Sequence, residues 1–465
     1  LPSSYLQLII VLLVGLIATI AAGHALLHKR DPTAAAGWMT VCLLFPVAGP
    51  ILYLMLGFNR IQMRARRLGT RRAPVTEGEP ANLEVPEAFA LQARISHAVT
   101  NLEITAGNAV TPLRDGEEAY PAMLDAINGA RRHVYLATYI FDSNTAGQAF
   151  AQALQQAHER GVDVRILLDG AGEWYSWPRI CRRLSRAGLR VTRFLPPQLI
   201  PPRLLLNLRN HRKILIVDGH TGFTGGMNIG DRHYASQGGA RDIQFRITGP
   251  VVDQMEAVFL QDWDYATGEL SERPPMDQTP DSGSALCRTV VTGPNEDLGR
   301  LTTILVGAAA AARERLVIVT PYFLPPRELI GALQAAAVRG TRVDIVLPAH
   351  NNLPFVHWAT QNMLWELVEW GVNVYYRSGQ FIHSKLFMID YQYSQIGSAN
   401  IDPRSLRLNF ELTIEIYDRQ LTADLTDEVD DMIAASRRMT LAALNGRSLP
   451  VRLRDAFCWL FTPYL

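Results

Sequence analysis

Lysine is scarce in this chain of 465 residues. Only Lys29, Lys213 and Lys385 stand among its 45 basic side chains, the others being arginine. Cysteine is sparse too: Cys42, Cys181, Cys287 and Cys458 lie far apart and in no CxxC or Cys/His spacing, which supports neither a disulfide framework nor a zinc site and reads as reduced, mostly buried thiols. An excess of one charge is also missing. Net charge is +1, and the first eighty residues carry +5 of it, leaving −4 for the remainder. That remainder has no global basic field with which to grip nucleic acid. No P-loop and no GxSxG elbow occur; Gly170-Ala171-Gly172 resembles the start of a dinucleotide loop, but Tyr175 occupies its third glycine position. His350 and His357 have no acidic ligand in helical register and read as loop or core histidines. With 48% hydrophobic and 19% charged residues the chain is too apolar for disorder, and its length implies two or three compact units.

Long apolar runs are present, both near the N-terminus. Tyr5 to Gly23 is uncharged, and as a helix it just crosses a hydrocarbon core of about 30 Å. Ala34 to Phe58 is a second uncharged run, and the two predict a helical membrane hairpin over residues 1–58 with a turn at His24 to Thr33. A cleaved signal peptide is the competing reading of the first run, but its apolar core is too long and no basic segment precedes it. Arg60, Arg64, Arg66, Arg67, Arg71 and Arg72 follow the second run, which predicts a multi-pass protein with its body on the cytoplasmic side, these arginines lying against anionic headgroups. Residues 59–109 read as a basic juxtamembrane segment and linker.

The body repeats itself. Helix, strand, helix, strand patterns over 122–130, 133–141, 148–160 and 162–168 recur over 305–313, 316–323, 327–339 and 341–347. The boundaries predict two similar α/β halves, 110–284 and 285–465. Each half carries the same seventeen-residue interval: His211-x-Lys213-x4-Asp218 leads to Gly225-Gly226-Met227-Asn228, and His383-x-Lys385-x4-Asp390 leads to Gly397-Ser398-Ala399-Asn400. Two of the three lysines sit in these motifs, where a compact ammonium is required and a planar guanidinium is not.

In an extended strand His and Lys share a face, whereas Asp218 and Asp390 fall on the other and suit a turn or salt-bridge role. An ammonium beside each imidazole repels a cation and attracts an anion, so no metal is expected. Two imidazoles, two ammoniums, the amides of Asn228 and Asn400 and the hydroxyl of Ser398 suit a phosphate whose charge grows in a transition state. Each imidazole needs a group to fix its tautomer. Asp242, 31 residues after His211, and Glu411, 28 after His383, are single acids in apolar strand text and are the candidates for that role.

These motifs resemble the phospholipase D superfamily. Gly397 to Glu411, Gly226 to Asp231 with Arg241-Asp242, the second apolar run and the ending 452–465 are similar to its bacterial cardiolipin synthase branch. The resemblance implies two phospholipase D-like αβα sandwich halves around one active site, with His211, Lys213, Asp218, His383, Lys385 and Asp390 as the catalytic set. It implies phosphatidyl transfer through a phosphohistidine: two phosphatidylglycerols give cardiolipin and glycerol, without metal or other cofactor, at a bacterial cytoplasmic membrane. It favours His211 as nucleophile and His383 as acid, then base. The partners expected are phosphatidylglycerol and an anionic bilayer, not nucleic acid. Hydrolysis to phosphatidic acid is a rival that sequence does not separate, since it depends on whether the closed site admits water; a nuclease is a second rival, opposed by the hairpin and the −4 body. Gly226, where the second half has Ser398, argues against symmetric roles. A proline-rich insertion between Gly188 and His211, with Pro196, Pro197, Pro201 and Pro202, reads either as a lipid-contacting lip or as a buried connection.

Overall fold

A computed structural model describes residues 3–29, 32–57, 85–196, 208–272, 282–293 and 299–462. The chain divides into two compact units, 1–72 and 73–465.

In the first unit a helix runs from Ser3 to His28, and its stretch from Ser4 is long and apolar enough to cross a membrane, with a mean hydropathy of 2.5. The second apolar run does not form one helix. A helix over Pro32–Leu44 stops before Pro46, and the chain resumes as a short helix, Ala48–Leu52, and a π-helical turn, Tyr53–Gly57. Proline lacks the N–H for the helical ladder and clashes with the preceding turn. Gly49 then packs against the previous helix so closely that a Cβ would meet the Val41 carbonyl oxygen at 2.3 Å. The run is therefore two short pieces folded on each other, held to the long helix by Ala22, Ala25, Trp38, Cys42 and Tyr53. The hairpin expected from sequence is thus reduced to one helix of spanning length. Phe58 and the six arginines after it lie outside the described residues.

The second unit is built on one sheet of fifteen strands among the described residues. In chain order these are β1 Thr105–Arg114, β2 His133–Thr138, β3 Asp163–Asp169, β4 Arg190–Phe194, β5 Ile214–Val217, β6 Thr221–Gly225, β7 Ile243–Thr248, β8 Ala285–Thr292, β9 Arg315–Val319, β10 Arg342–Pro348, β11 Asn373–Arg377, β12 Leu386–Ile389, β13 Tyr393–Gly397, β14 Glu411–Tyr417 and β15 Ser436–Arg438. From the centre outward one half runs β1-β7-β6-β5-β2-β3-β4 and the other β8-β14-β13-β12-β9-β10-β11, with β1 and β8 antiparallel at the junction and β15 added as an edge strand beside β11. The repeat seen in the sequence is a repeat of strand order. β2 and β9 are buried on both faces, which is why HVYLAT and RLVIV read as continuous apolar strands.

Helices cover both faces. Asp115–Gly129, Thr145–Glu159 and Ile180–Arg186 close the outer core of the first half, and Arg300–Ala311, Arg327–Val338 and Pro354–Val368 that of the second. Val251–Thr267 and Arg419–Ala434 share a core with residues of both halves, including Phe245, Phe410 and Ile414. The two halves therefore bury one apolar interior in common, at roughly 25 cal/mol per Å² of apolar surface. The expected linker does not extend to residue 109. Ala90–Thr100 is a helix packed on the second half: Ser96 Oγ donates to Glu415 Oε1 at 2.6 Å and Gln92 Nε2 to the Ile304 carbonyl at 3.1 Å. All four cysteines are free and buried.

Candidate active site

β5 and β12 hold equivalent places in the two halves, so the His-x-Lys segments entering them meet near the shared interior. Short parallel bridges pin them there. Asn210 bridges Phe410 and Arg241 bridges Ile382; the His211 N–H donates to the Phe410 carbonyl at 2.9 Å, and the His383 N–H to the Arg241 carbonyl at 2.8 Å. Phe410 precedes Glu411 and Arg241 precedes Asp242. Each bridge thus sets a histidine beside the carboxylate of the opposite half.

The side chains follow. His211 Nδ1 is 3.0 Å from Glu411 Oε2, and His383 Nδ1 is 2.8 Å from Asp242 Oδ2. Both candidate orienting acids reach an imidazole, but across the halves: the pairing suggested by sequence distance, Asp242 with His211 and Glu411 with His383, is exchanged. A carboxylate accepts, so each Nδ1 carries the proton and each Nε2 is left with its lone pair. Burial lowers the pKa of both imidazoles. For His383 the Lys385 ammonium adds to it, and the value falls to about 4; for His211, Glu411 opposes it. Both rings are neutral at neutral pH. Burial alone would raise Asp242 and Glu411, but the facing imidazoles and lysines outweigh it and hold both below the usual carboxylate range.

Lys213 and Lys385 are almost fully buried. Lys213 Nζ donates to the His211 carbonyl at 2.7 Å, and Lys385 Nζ donates to the His383 carbonyl and lies 3.2 Å from His383 Nδ1. Burial pulls Lys213 down to about 7 and Lys385 to about 8. Among the described residues neither ammonium has a carboxylate within ion-pair distance, so the two together suit an anion.

Three candidates make contacts other than those of the phosphate-binding or catalytic set in which type or resemblance grouped them. Ser398 Oγ donates to Glu411 Oε2 at 2.6 Å and accepts from the Leu412 N–H at 3.1 Å, so its hydroxyl is committed to the carboxylate and not to a phosphate. Its counterpart explains the change: a Cβ on Gly226 would meet the Asp242 carboxylate oxygens at 2.5 Å. Gly226 with the shorter Asp242 and Ser398 with the longer Glu411 are matched pairs. Asp218 and Asp390, grouped with the catalytic set, stand at the far strand ends. Asp218 accepts from the N–H groups of Arg131, Arg132 and His133 at 2.9, 2.7 and 3.0 Å, and Asp390 from those of Arg313, Glu314 and Arg315, each at 2.8 Å. They clamp the start of β2 and β9, the turn role that strand parity gave them.

Asn228 Oδ1 accepts from the Ile140 N–H at 3.1 Å, which leaves its amide nitrogen as a donor; Asn400 Nδ2 donates to Ser405 Oγ at 3.3 Å. Two residues that sequence reasoning passed over complete the site. Tyr139 packs edge-on against His211, centroids 5.3 Å apart, with Lys213 Nζ 5.9 Å from its ring. His233 is buried with its ring 6.0 Å from that of His383; its Nε2 accepts from the Asn228 N–H at 3.2 Å, and burial holds it neutral, near 3. For His233 the position in the repeat was the available signal: it lies five residues after Asn228, as Ser405 does after Asn400. The proline-rich insertion lies outside the described residues from Pro197 to Asn207. Among the described residues no cluster of His, Cys, Asp and Glu is arranged to hold a metal ion.

Comparison with known proteins gives concordant matches. Residues 123–263 and 305–433 match the family model described as cardiolipin synthase, PLD-like domain, and residues 9–57 match that described as phospholipase D-nuclease N-terminal. The chain is 30% identical to a cardiolipin synthase of Oceanobacillus iheyensis over 94% of its own length and 95% of the relative's. It is also 30% identical to the major cardiolipin synthase of Bacillus subtilis, with the same coverage. The phosphatidylserine synthase of Haemophilus influenzae shares the fold, with a TM-score of 0.62 at 18% identity, covering 81% of this chain and all of that one.

Proposed function

This chain belongs to the phospholipase D superfamily, in its cardiolipin synthase branch, and on that premise we propose that the composite site transfers a phosphatidyl group from one phosphatidylglycerol to another, giving cardiolipin and glycerol. The observation that carries the reading is the pair of neutral imidazoles, each held by the other half's carboxylate, with two buried ammoniums beside them.

The step follows from the atoms. A phosphodiester is anionic, and Lys213 and Lys385 neutralise its two free oxygens, with the Asn228 amide as a further donor. Nε2 of His211 attacks phosphorus, and the P–O bond to the departing glycerol breaks. That oxygen takes a proton from His383, whose imidazolium Asp242 stabilises at Nδ1. The headgroup hydroxyl of a second phosphatidylglycerol then gives its proton back to His383 and attacks phosphorus, and the P–N bond to His211 breaks. Glu411 and Asp242 keep both rings in one tautomer throughout. Binding the diester also raises both histidine and lysine pKa values, because its charge favours their protonated forms; this loads His383 for its acid role.

The spanning-length helix associates the chain with a membrane. Our reading adds a second, broken apolar segment and a body on the cytoplasmic side, supported by the arginines after Phe58. The test is to supply phosphatidylglycerol labelled in its acyl chains to the purified full chain. Labelled cardiolipin with release of free glycerol supports the transfer; phosphatidic acid as the sole product would replace it by hydrolysis.

A further inference from the structure

The segment between β3 and β4 is inside out for a loop facing water. Glu173 is buried and holds Arg193 through two hydrogen bonds of 2.8 and 3.1 Å, and buried Ser176 accepts from the Ser143 N–H at 2.8 Å. Between and after them Trp174, Tyr175 and Trp177 are 65, 63 and 84% exposed. The polar residues fix the loop from within while the aromatic rings are presented outward, where a water-facing loop would do the reverse.

Four arginines follow on the same segment. Arg179, Arg182, Arg183 and Arg186, with Trp177 and Ser143, line a cleft of about 420 Å³ whose lining includes no carboxylate. None of the four is ion-paired among the described residues, although arginine on this protein is commonly paired elsewhere, as with Arg193, Arg212, Arg315 and Arg447. The Arg179 guanidinium lies 5.0 Å from the Trp174 ring. Exposed tryptophan and tyrosine beside unpaired arginine is the composition of a bilayer interface, with rings at headgroup depth and guanidinium groups on phosphates. The place suits it as well. Tyr175 lies 6.1 Å from Tyr139, ring to ring, and Tyr139 touches the His211 ring, so this rim borders the mouth of the candidate active site.

We propose that Trp174, Tyr175 and Trp177 with the arginine-lined cleft are the surface by which the catalytic body rests on a bilayer containing anionic phospholipid, the cleft holding a headgroup phosphate of a lipid that is not being turned over. The proposal rests on the reading of the site as a phosphatidyltransferase and adds to it a lipid contact outside the reacting pocket. A lipid substrate then reaches His211 by sliding beneath the rim with its acyl chains still in the membrane.

The test uses the full chain in liposomes with a nitroxide on Trp177→Cys, the four native cysteines being buried. In liposomes containing phosphatidylglycerol the label should collide with oxygen more than with a water-soluble nickel chelate. In phosphatidylcholine alone, with or without inorganic phosphate or glycerol 3-phosphate, the order should reverse. A label that is aqueous in both membranes, or equally buried in both, overturns the proposal. Kinetics give an independent arm. Arg182→Gln with Arg183→Gln should raise the interfacial KM for phosphatidylglycerol at least tenfold, change kcat less than twofold, and leave the rate on monomeric short-chain phosphatidylglycerol unaltered. An equal loss on the monomeric lipid would put these arginines in the reacting pocket and contradict the assignment. The depth measurement needs no turnover, so a chain that proved to be a hydrolase would fail the proposed transfer and still pass or fail this test.

Discussion

Lys213 and Lys385 are where the chain departs from its near-exclusive use of arginine, and the structure supplies the reason. Lys213 Nζ sits within 2.7 Å of the His211 carbonyl in a pocket with almost no solvent, where a guanidinium has neither the room nor the same reach. Lys213→Arg should lower turnover at least tenfold, which is about 1.4 kcal/mol in barrier; near-normal turnover would remove the argument from residue choice. The same burial sets the pH dependence. Lys213 and Lys385 titrate near 7 and 8 in the free protein, so kcat/KM should fall as pH rises through that range and the ammoniums that attract phosphate are lost. On the acid side it should fall as the neutral imidazole of His211 is protonated below its depressed pKa. Stability has a related limb. His383 titrates near 4 when folded and near 6.5 when unfolded, so the unfolded chain takes up a proton first. Its contribution is whole above pH 6.5 and is lost as pH falls from there to 4. Thermal unfolding of wild type against His383→Gln across that window checks the sign: the stability difference should shrink as pH falls.

At the scale of elements, strand ends carry most of the design. Asp218 and Asp390 each collect three backbone N–H groups where β2 and β9 begin, an arrangement that charge-assisted hydrogen bonds make worth a few kcal/mol. Asp218→Asn should destabilise the body by about 2 kcal/mol in denaturant unfolding, while the folded fraction keeps most of its activity; a collapse of kcat without loss of stability would return this aspartate to the reacting set. Local text made these elements legible. Gly161 and Gly340 punctuate matching helix-to-strand turns, and the continuous apolar runs of β2 and β9 could only be buried strands. The partnership of His211 with Glu411 was not legible, because it rests on a backbone bridge between residues 200 apart, and sequence distance pointed to the nearer acid. Nor was the direction of Ser398, which depends on the extra methylene of Glu411. That the second apolar run is not one continuous helix was not legible for a different reason: its composition suits a membrane, but Pro46 and the close packing of Gly49 turn it back on itself.

For the whole molecule, duplication produces one site and not two, because each half brings a nucleophile-like histidine and the carboxylate its sister needs. Separating the two halves removes both imidazole–carboxylate pairs at once, whereas two self-sufficient halves would each keep one. This makes the covalent intermediate the central claim. The measurement that tests it most directly is mass spectrometry of His383→Ala, quenched shortly after mixing with a phosphatidyl donor whose leaving group needs no proton. The account predicts a phosphatidyl group on Nε2 of His211, and none on His211→Ala under the same conditions. An adduct on neither histidine with any donor, while wild type still converts phosphatidylglycerol to cardiolipin, would contradict it.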